Sequence, residues 1–264
     1  MSPAMFWSRS TRYEYELWRR NRRRRRLTFV LAVVVALAAI ASIDRHDHQH
    51  THHQHHPARH HTTQRATPRP GTRTPGAPSS ALASAGTGLR WTSFHGIALP
   101  SSPHGGPRRT RNGLAWGFAD TPRGALLAAV NIAVRTAAQW GPPVYQPTIT
   151  RQVTGPAQHQ LLNADASQYD ALRAAAHVRN GHPAGRGYAV EAAYRFTTYT
   201  PARATVVIVA EGPGASSTVM AATKIRLTWR HGDWRVIAPP HGNWTAAATA
   251  VSSLSGYVTF TSAR

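Results

Sequence analysis

Six residues are the candidates for a proton-moving His/Asp pair: His95, Asp120, Asp165, Asp170, His177 and Asp233. General acid–base catalysis requires a histidine held within reach of a carboxylate or of the reacting atom. None of the six stands at a spacing that demands such a pair. Asp233 follows His231-Gly232 in a turn, where aspartate is common for its local hydrogen bonds. Asp165 reads as the cap of a helix that starts there. Asp120 precedes Thr121-Pro122, a cap with proline at the first helical position, where the helix dipole favours an acid. His95 beside Gly96 reads as a surface loop residue. The serine elbow G-x-S-x-G is absent, as is a phosphate-binding loop, and there is no cysteine for a nucleophile or a thiolate metal site. Trp116, Trp229 and Trp234 lie in core-patterned segments and read as packing rather than as a sugar platform. The sequence therefore assigns no catalytic residue, implies no cofactor and does not point to an enzyme.

A second chemistry is metal binding. Nine of the 16 histidines fall between His46 and His61, and His46, His48, His50, His52, His53, His55 and His56 are the densest ligand set. Imidazole binds zinc, nickel and copper well. A defined site needs fixed geometry, and the surrounding stretch from Asp44 to Gly88 reads as linker. Its first part is hydrophilic and its second rich in Pro, Thr, Gly, Ser and Ala. Neither part has the apolar residues to offset the entropy of ordering. The tract then reads as a spacer that gains charge below about pH 6.5.

Upstream, an arginine block that includes Arg22, Arg23, Arg24, Arg25 and Arg26 abuts the uncharged run Leu27–Ile43. As a helix the run spans ~26 Å, just short of the ~30 Å hydrocarbon core. Read as a transmembrane helix, it places the N-terminus in the cytoplasm and everything after Ile43 outside, with the arginines on anionic lipid headgroups. Ala39-Ile40-Ala41 before Ser42 also fits a signal-peptide cleavage site. A nucleic-acid-binding patch is a third reading of the block. Of the 31 basic residues 30 are arginine, and from Leu89 onward 17 basic residues face six acidic ones. That balance implies attraction to polyanions: lipid headgroups, wall polymers or nucleic acid.

Residues 89–264 form the expected folded domain. A buried helix is predicted from Thr121-Pro122 to about Gln139, stopping at Trp140-Gly141-Pro142-Pro143, and a second from about Asp165 to Val178. The pattern then changes to period two. Tyr188, Val190, Ala192, Tyr194 and Phe196 alternate against Glu191 and Arg195, and further strands follow through Arg203–Glu211, Val219–Trp229 and Trp234–Ile237. This predicts an α+β fold in which an antiparallel meander of about four strands follows helices.

The order of elements and the hairpin Leu227–Val236, with its W-x-x-G-D-W-R pattern, resemble the nuclear-transport-factor-2-like superfamily, a cone of helices packed on a curved antiparallel sheet. A narrower resemblance rests on Trp91, Gly96, Leu99-Pro100, Gly117-Phe118-Ala119, Thr121-Pro122, Gly124–Ala129, the GDWR hairpin and Leu254–Val258. These are similar to an uncharacterised actinobacterial family of single-span proteins associated with integrative and conjugative elements. Its architecture resembles the inner-membrane scaffold proteins of type IV secretion. The resemblance implies a membrane-anchored, non-enzymatic scaffold of a conjugative DNA-transfer or other envelope assembly, with protein partners and a homo-oligomeric state among the expectations. Direct nucleic-acid binding stays open. An exported small-ligand or cell-wall-binding protein is the alternative, and an enzyme using the cone pocket is a second.

Overall fold

The computed structural model describes residues 79–111, 113–214 and 217–261. A short helix α1 (Ser79–Ala83) leads into the 3-10 turn Ser84–Gly86. This turn lies within the stretch expected as linker, yet it packs on the domain. The Tyr194 hydroxyl accepts from the Gly86 amide at 2.8 Å, and Ala85 is buried. Two hairpins follow, β1 (Arg90–Phe94) with β2 (Ile97–Ser101) and β3 (Arg109–Arg111) with β4 (Leu114–Trp116). Each is a separate two-stranded sheet. The first turns at His95-Gly96, where both residues have positive φ (49° and 96°), as a two-residue hairpin loop matched to the strand twist requires.

Helix α2 (Pro122–Arg135) starts where the sequence places it. The Thr121 hydroxyl accepts from the Gly124 amide at 3.1 Å, and Pro122 takes the first helical position. It ends four residues earlier than expected, and a 3-10 turn (Ala138–Trp140) carries the apolar pattern on. The Pro142-Pro143 pair, expected as a stop, instead opens helix α3 (Pro142–Gln152), since proline is tolerated in a first turn. Helix α4 (Gln158–Ala175) begins seven residues before Asp165. Asp165 is thus a buried mid-helix residue and not a cap.

The large sheet contains β5 (Val153–Thr154), β6 (Val190–Thr200), β7 (Arg203–Pro213), β8 (Thr218–Arg230), β9 (Asp233–Ile237), β10 (Ala248–Val251) and β11 (Val258–Thr259). Its order is β11-β6-β7-β8-β9-β5, and β10 pairs with β8 alongside β9. The expected fold class is corrected here. The domain is mostly strands in a seven-stranded mixed sheet with few helices. It is not the nuclear-transport-factor-2-like cone of helices on a four-stranded antiparallel meander. The difference arises because Val153-Thr154 leaves α3 and pairs parallel with Val236-Ile237, and because the chain after Ile237 returns to supply two more strands. One face of the sheet packs through Val206, Ile208, Ile225 and Leu227 against α2. The other carries Ala193, Val207, Val209 and Ala222 under Val251, Leu254 and Tyr257.

The expected single-pass location, with a cytoplasmic N-terminus and an extracytoplasmic domain, is also corrected. Among the described residues no helix is long and apolar enough to cross a membrane. The apolar helix α2 has 14 residues and reaches only ~21 Å. The longer α4 carries His159, Asp165 and Asp170. The run Leu27–Ile43, the arginines Arg22–Arg26 and the histidines His46–His61 lie outside the described residues.

Candidate functional site

The cleft between the two hairpins and α2 measures about 430 Å³. That is the size range of binding pockets. Its walls come from β1 (Thr92, Ser93, Phe94), from β2 (Leu99, Pro100, Ser101), from the β3–β4 hairpin (Thr110, Arg111, Leu114) and from α2 (Asn131, Arg135). Asn131 ties these walls together. Its Nδ2 donates to the carbonyl of Pro100 at 2.8 Å and to that of Leu127 at 3.0 Å, and its Oδ1 accepts from Arg135 Nη1 at 2.7 Å. Arg135 Nη1 also donates to the Asn131 carbonyl, and the guanidinium lies 4.4 Å from the centroid of Phe94. The ring of Phe94 stands edge-on to Trp140, on which His95 stacks at 5.0 Å.

Arg135 is 6% exposed, and no carboxylate pairs with it among the described residues. Its Nε is buried without a hydrogen-bond partner. Burial lowers its pKa to about 10. A desolvated cation without a counter-charge is costly, and an anion entering the cleft would relieve that cost. His95 nearby is held below its ordinary range, chiefly by burial and then by the charge of Arg135.

A second, smaller pocket of about 40 Å³ lies between α2 and the sheet, walled mainly by Val130, Val134, Ile208 and Ile225, with Trp244 at its side. Glu191 points into it. A β-bulge between Glu191 and Ala193 shifts the alternation by one residue, so Glu191 and Tyr194 share the inner face while Val190 is exposed. The Glu191 carboxyl is buried, its Oε2 has no partner, and burial raises its pKa to about 7. The chamber has room for roughly three waters.

The six candidates for a His/Asp pair are dispersed. His95 sits in the β1–β2 turn and His177 at the left-handed end of α4. Asp120 is exposed, and Asp170 pairs with Arg173 at 2.8 Å. Asp165 is buried on α4, its Oδ2 unpartnered and its pKa raised by burial to about 8. Asp233 does more than close a turn. Its carboxylate accepts from the amides of Gly117 (2.9 Å), Phe118 (3.0 Å) and Trp234 (2.9 Å), while Trp234 Nε1 donates to the Ala119 carbonyl at 2.9 Å. The GDW turn is therefore a latch that holds the β8–β9 hairpin to the segment entering α2. Among the described residues no three His, Asp or Glu side chains gather as a metal site.

A family described as "Domain of unknown function (DUF8175)" matches residues 52–259, most of the chain. The chain belongs to this family. No curated protein and no solved structure matches it. Every element that lines the cleft of this DUF8175 domain falls inside the matched residues. Sequence reading missed Arg135, Asn131 and Glu191. For the first two a signal existed: Asn131 and Arg135 interrupt an apolar helix one turn apart, on the stripe that contains Leu127. For Glu191 none did, because the bulge that turns it inward has no local marker.

Proposed function

We propose that the domain is a non-enzymatic scaffold component that holds a protein partner at the face formed by the two hairpins. The observation that carries this reading is the pair of two-stranded sheets standing apart from the main sheet, whose strands wall a cleft of about 430 Å³. The cleft walls combine an aromatic ring, apolar side chains and hydroxyls, the composition of a recognition surface. A conjugative DNA-transfer assembly is the setting that the resemblance in sequence suggests, and a holding role suits it. A small ligand in the same cleft is the second reading, since about 430 Å³ also suits a ligand pocket, whereas the chamber behind Trp244 is far smaller than the ~300 Å³ at which such pockets begin. An enzyme has less support still, because the candidate histidines and aspartates do not converge.

Blocking the cleft tests the proposal. Ser93→Trp in the full chain fills the space between the hairpins. Tagged wild-type protein recovered from its native cells should bring down a protein that the blocked variant loses, with the circular dichroism of the two unchanged. Recovery of the same partners by both would refute it.

A further inference from the structure

We infer that the cleft takes the carboxylate side chain of an extended acidic segment of a protein partner, with Arg135 as its anchor and Arg111 at its rim. This rests on the reading of the domain as a partner-holding module and names the chemistry of what is held.

Three observations support it. The first is the state of Arg135. Its Nη1 is engaged by Asn131 Oδ1 and by the Asn131 carbonyl, which fixes the guanidinium plane over Phe94. Its Nε lacks an acceptor. A guanidinium held this rigidly is preorganised, and with Nη1 engaged and Nε buried it can offer a carboxylate in the cleft the donors of Nη2. The second is the charge around it. Arg111 lines the same cleft, and no Asp or Glu does. An acidic ligand therefore meets cations and no repelling carboxylate. The third is the form of the cleft. Its sides are β-strand, with Ser93 and Thr110 along the walls, so an extended chain can run beside a strand and send one side chain inward. Arg135 is recessed, and this argues against a nucleic-acid backbone as occupant. The exposed arginines Arg109 and Arg111 would meet phosphates first, and a duplex cannot enter a slot of this size.

The experiment is a fluorescence anisotropy titration of the full chain with two labelled peptides of ten residues, one alternating valine with glutamate and one valine with glutamine. The glutamate peptide should bind, and the glutamine peptide should bind about tenfold more weakly or not at all. Arg135→Gln should weaken the glutamate peptide roughly thirtyfold, the loss expected when one side of a buried charge pair is removed. Arg135→Lys keeps the charge and the stem and guards against a folding defect. It should still lose several-fold, because an ammonium cannot both hold the two Asn131 oxygens in the guanidinium's plane and present a donor to the cleft. Arg111→Gln, at an exposed position, cannot disturb the core and should lose about threefold at low salt. Equal binding of the glutamate peptide to wild type and to the Arg135→Gln, Arg111→Gln double variant would overturn the inference. So would tighter binding of a twenty-nucleotide DNA that displaces the peptide. If Ser93→Trp still abolishes partner recovery while both arginine variants leave it intact, the holding role stands and the acidic occupant falls.

Discussion

Asp233→Ala should be among the most damaging single changes to this domain, although Asp233 occupies an ordinary-looking turn. The wild-type carboxylate accepts three backbone N–H groups, from Gly117, Phe118 and Trp234, at 2.9–3.0 Å, and the residue is 8% exposed. A hydrogen bond to a charged group contributes about 1.5–3 kcal/mol, and a buried donor left without an acceptor costs about 1–3 kcal/mol. The three bonds share one acceptor and are not additive, so the expected loss is about 3–5 kcal/mol. Against a typical stability of about 5–15 kcal/mol this is a large share. With a urea dependence near 2 kcal/mol/M, the unfolding midpoint should fall by about 2 M. Asp233→Asn retains an acceptor oxygen without the charge and should lose about half as much. The assay is urea unfolding of the full chain, followed by tryptophan fluorescence, since Trp234 sits inside the latch. A loss below about 1 kcal/mol for the alanine variant would refute the latch and leave Trp234, through its packing and its Nε1 bond to the Ala119 carbonyl, as the tie between hairpin and helix entry.

Glu191 and Asp165 should make the domain less stable as pH rises. Both have folded-state pKa values above their ordinary ones, about 7 and about 8, so the folded state retains protons that the unfolded state has lost. Their contribution is complete below about pH 4 and is lost as pH rises through 7 and 8. The Asp165→Asn, Glu191→Gln double variant should flatten thermal stability between pH 5 and 8, and an unchanged slope would count against both assignments. Trp234→Ala should cost about 3–5 kcal/mol because the ring is fully buried, whereas Trp229 is only partly buried and its loss should cost less. Chemical unfolding of the two variants would order them. Gly124→Ala should destabilise strongly, since its Cβ would lie 1.9 Å from the Ala119 carbonyl oxygen, and a soluble variant with wild-type melting would contradict the packing of the loop on α2.

Legibility in the sequence followed the range of the interactions. The start of α2 was readable because the Thr121 cap and Pro122 are local. So was the turn at His231-Gly232, whose residues both adopt positive φ. The sheet's final form was not readable. The parallel pairing of Val153-Thr154 with β9 joins residues more than 80 apart, and only two residues make it. Helix α3 was hidden because Pro142-Pro143 can end one helix or begin another. The inward turn of Glu191 depends on a bulge that breaks the alternation on which strand reading relies. The cleft was invisible for a similar reason. Asn131 and Arg135 could be seen interrupting an apolar stripe, but the hairpins that enclose them come from residues 90–116, and only the fold brings the two together.

The most direct test of the central claim is site-specific photo-crosslinking in the native cells of the full chain, with a benzophenone side chain at Thr110 in the cleft or at Ser255 on the opposite face of the sheet. The account predicts a discrete protein adduct from Thr110 and none from Ser255, with the Thr110 adduct reduced by Arg135→Lys. An adduct from Ser255 alone, or a Thr110 adduct to nucleic acid, would contradict it.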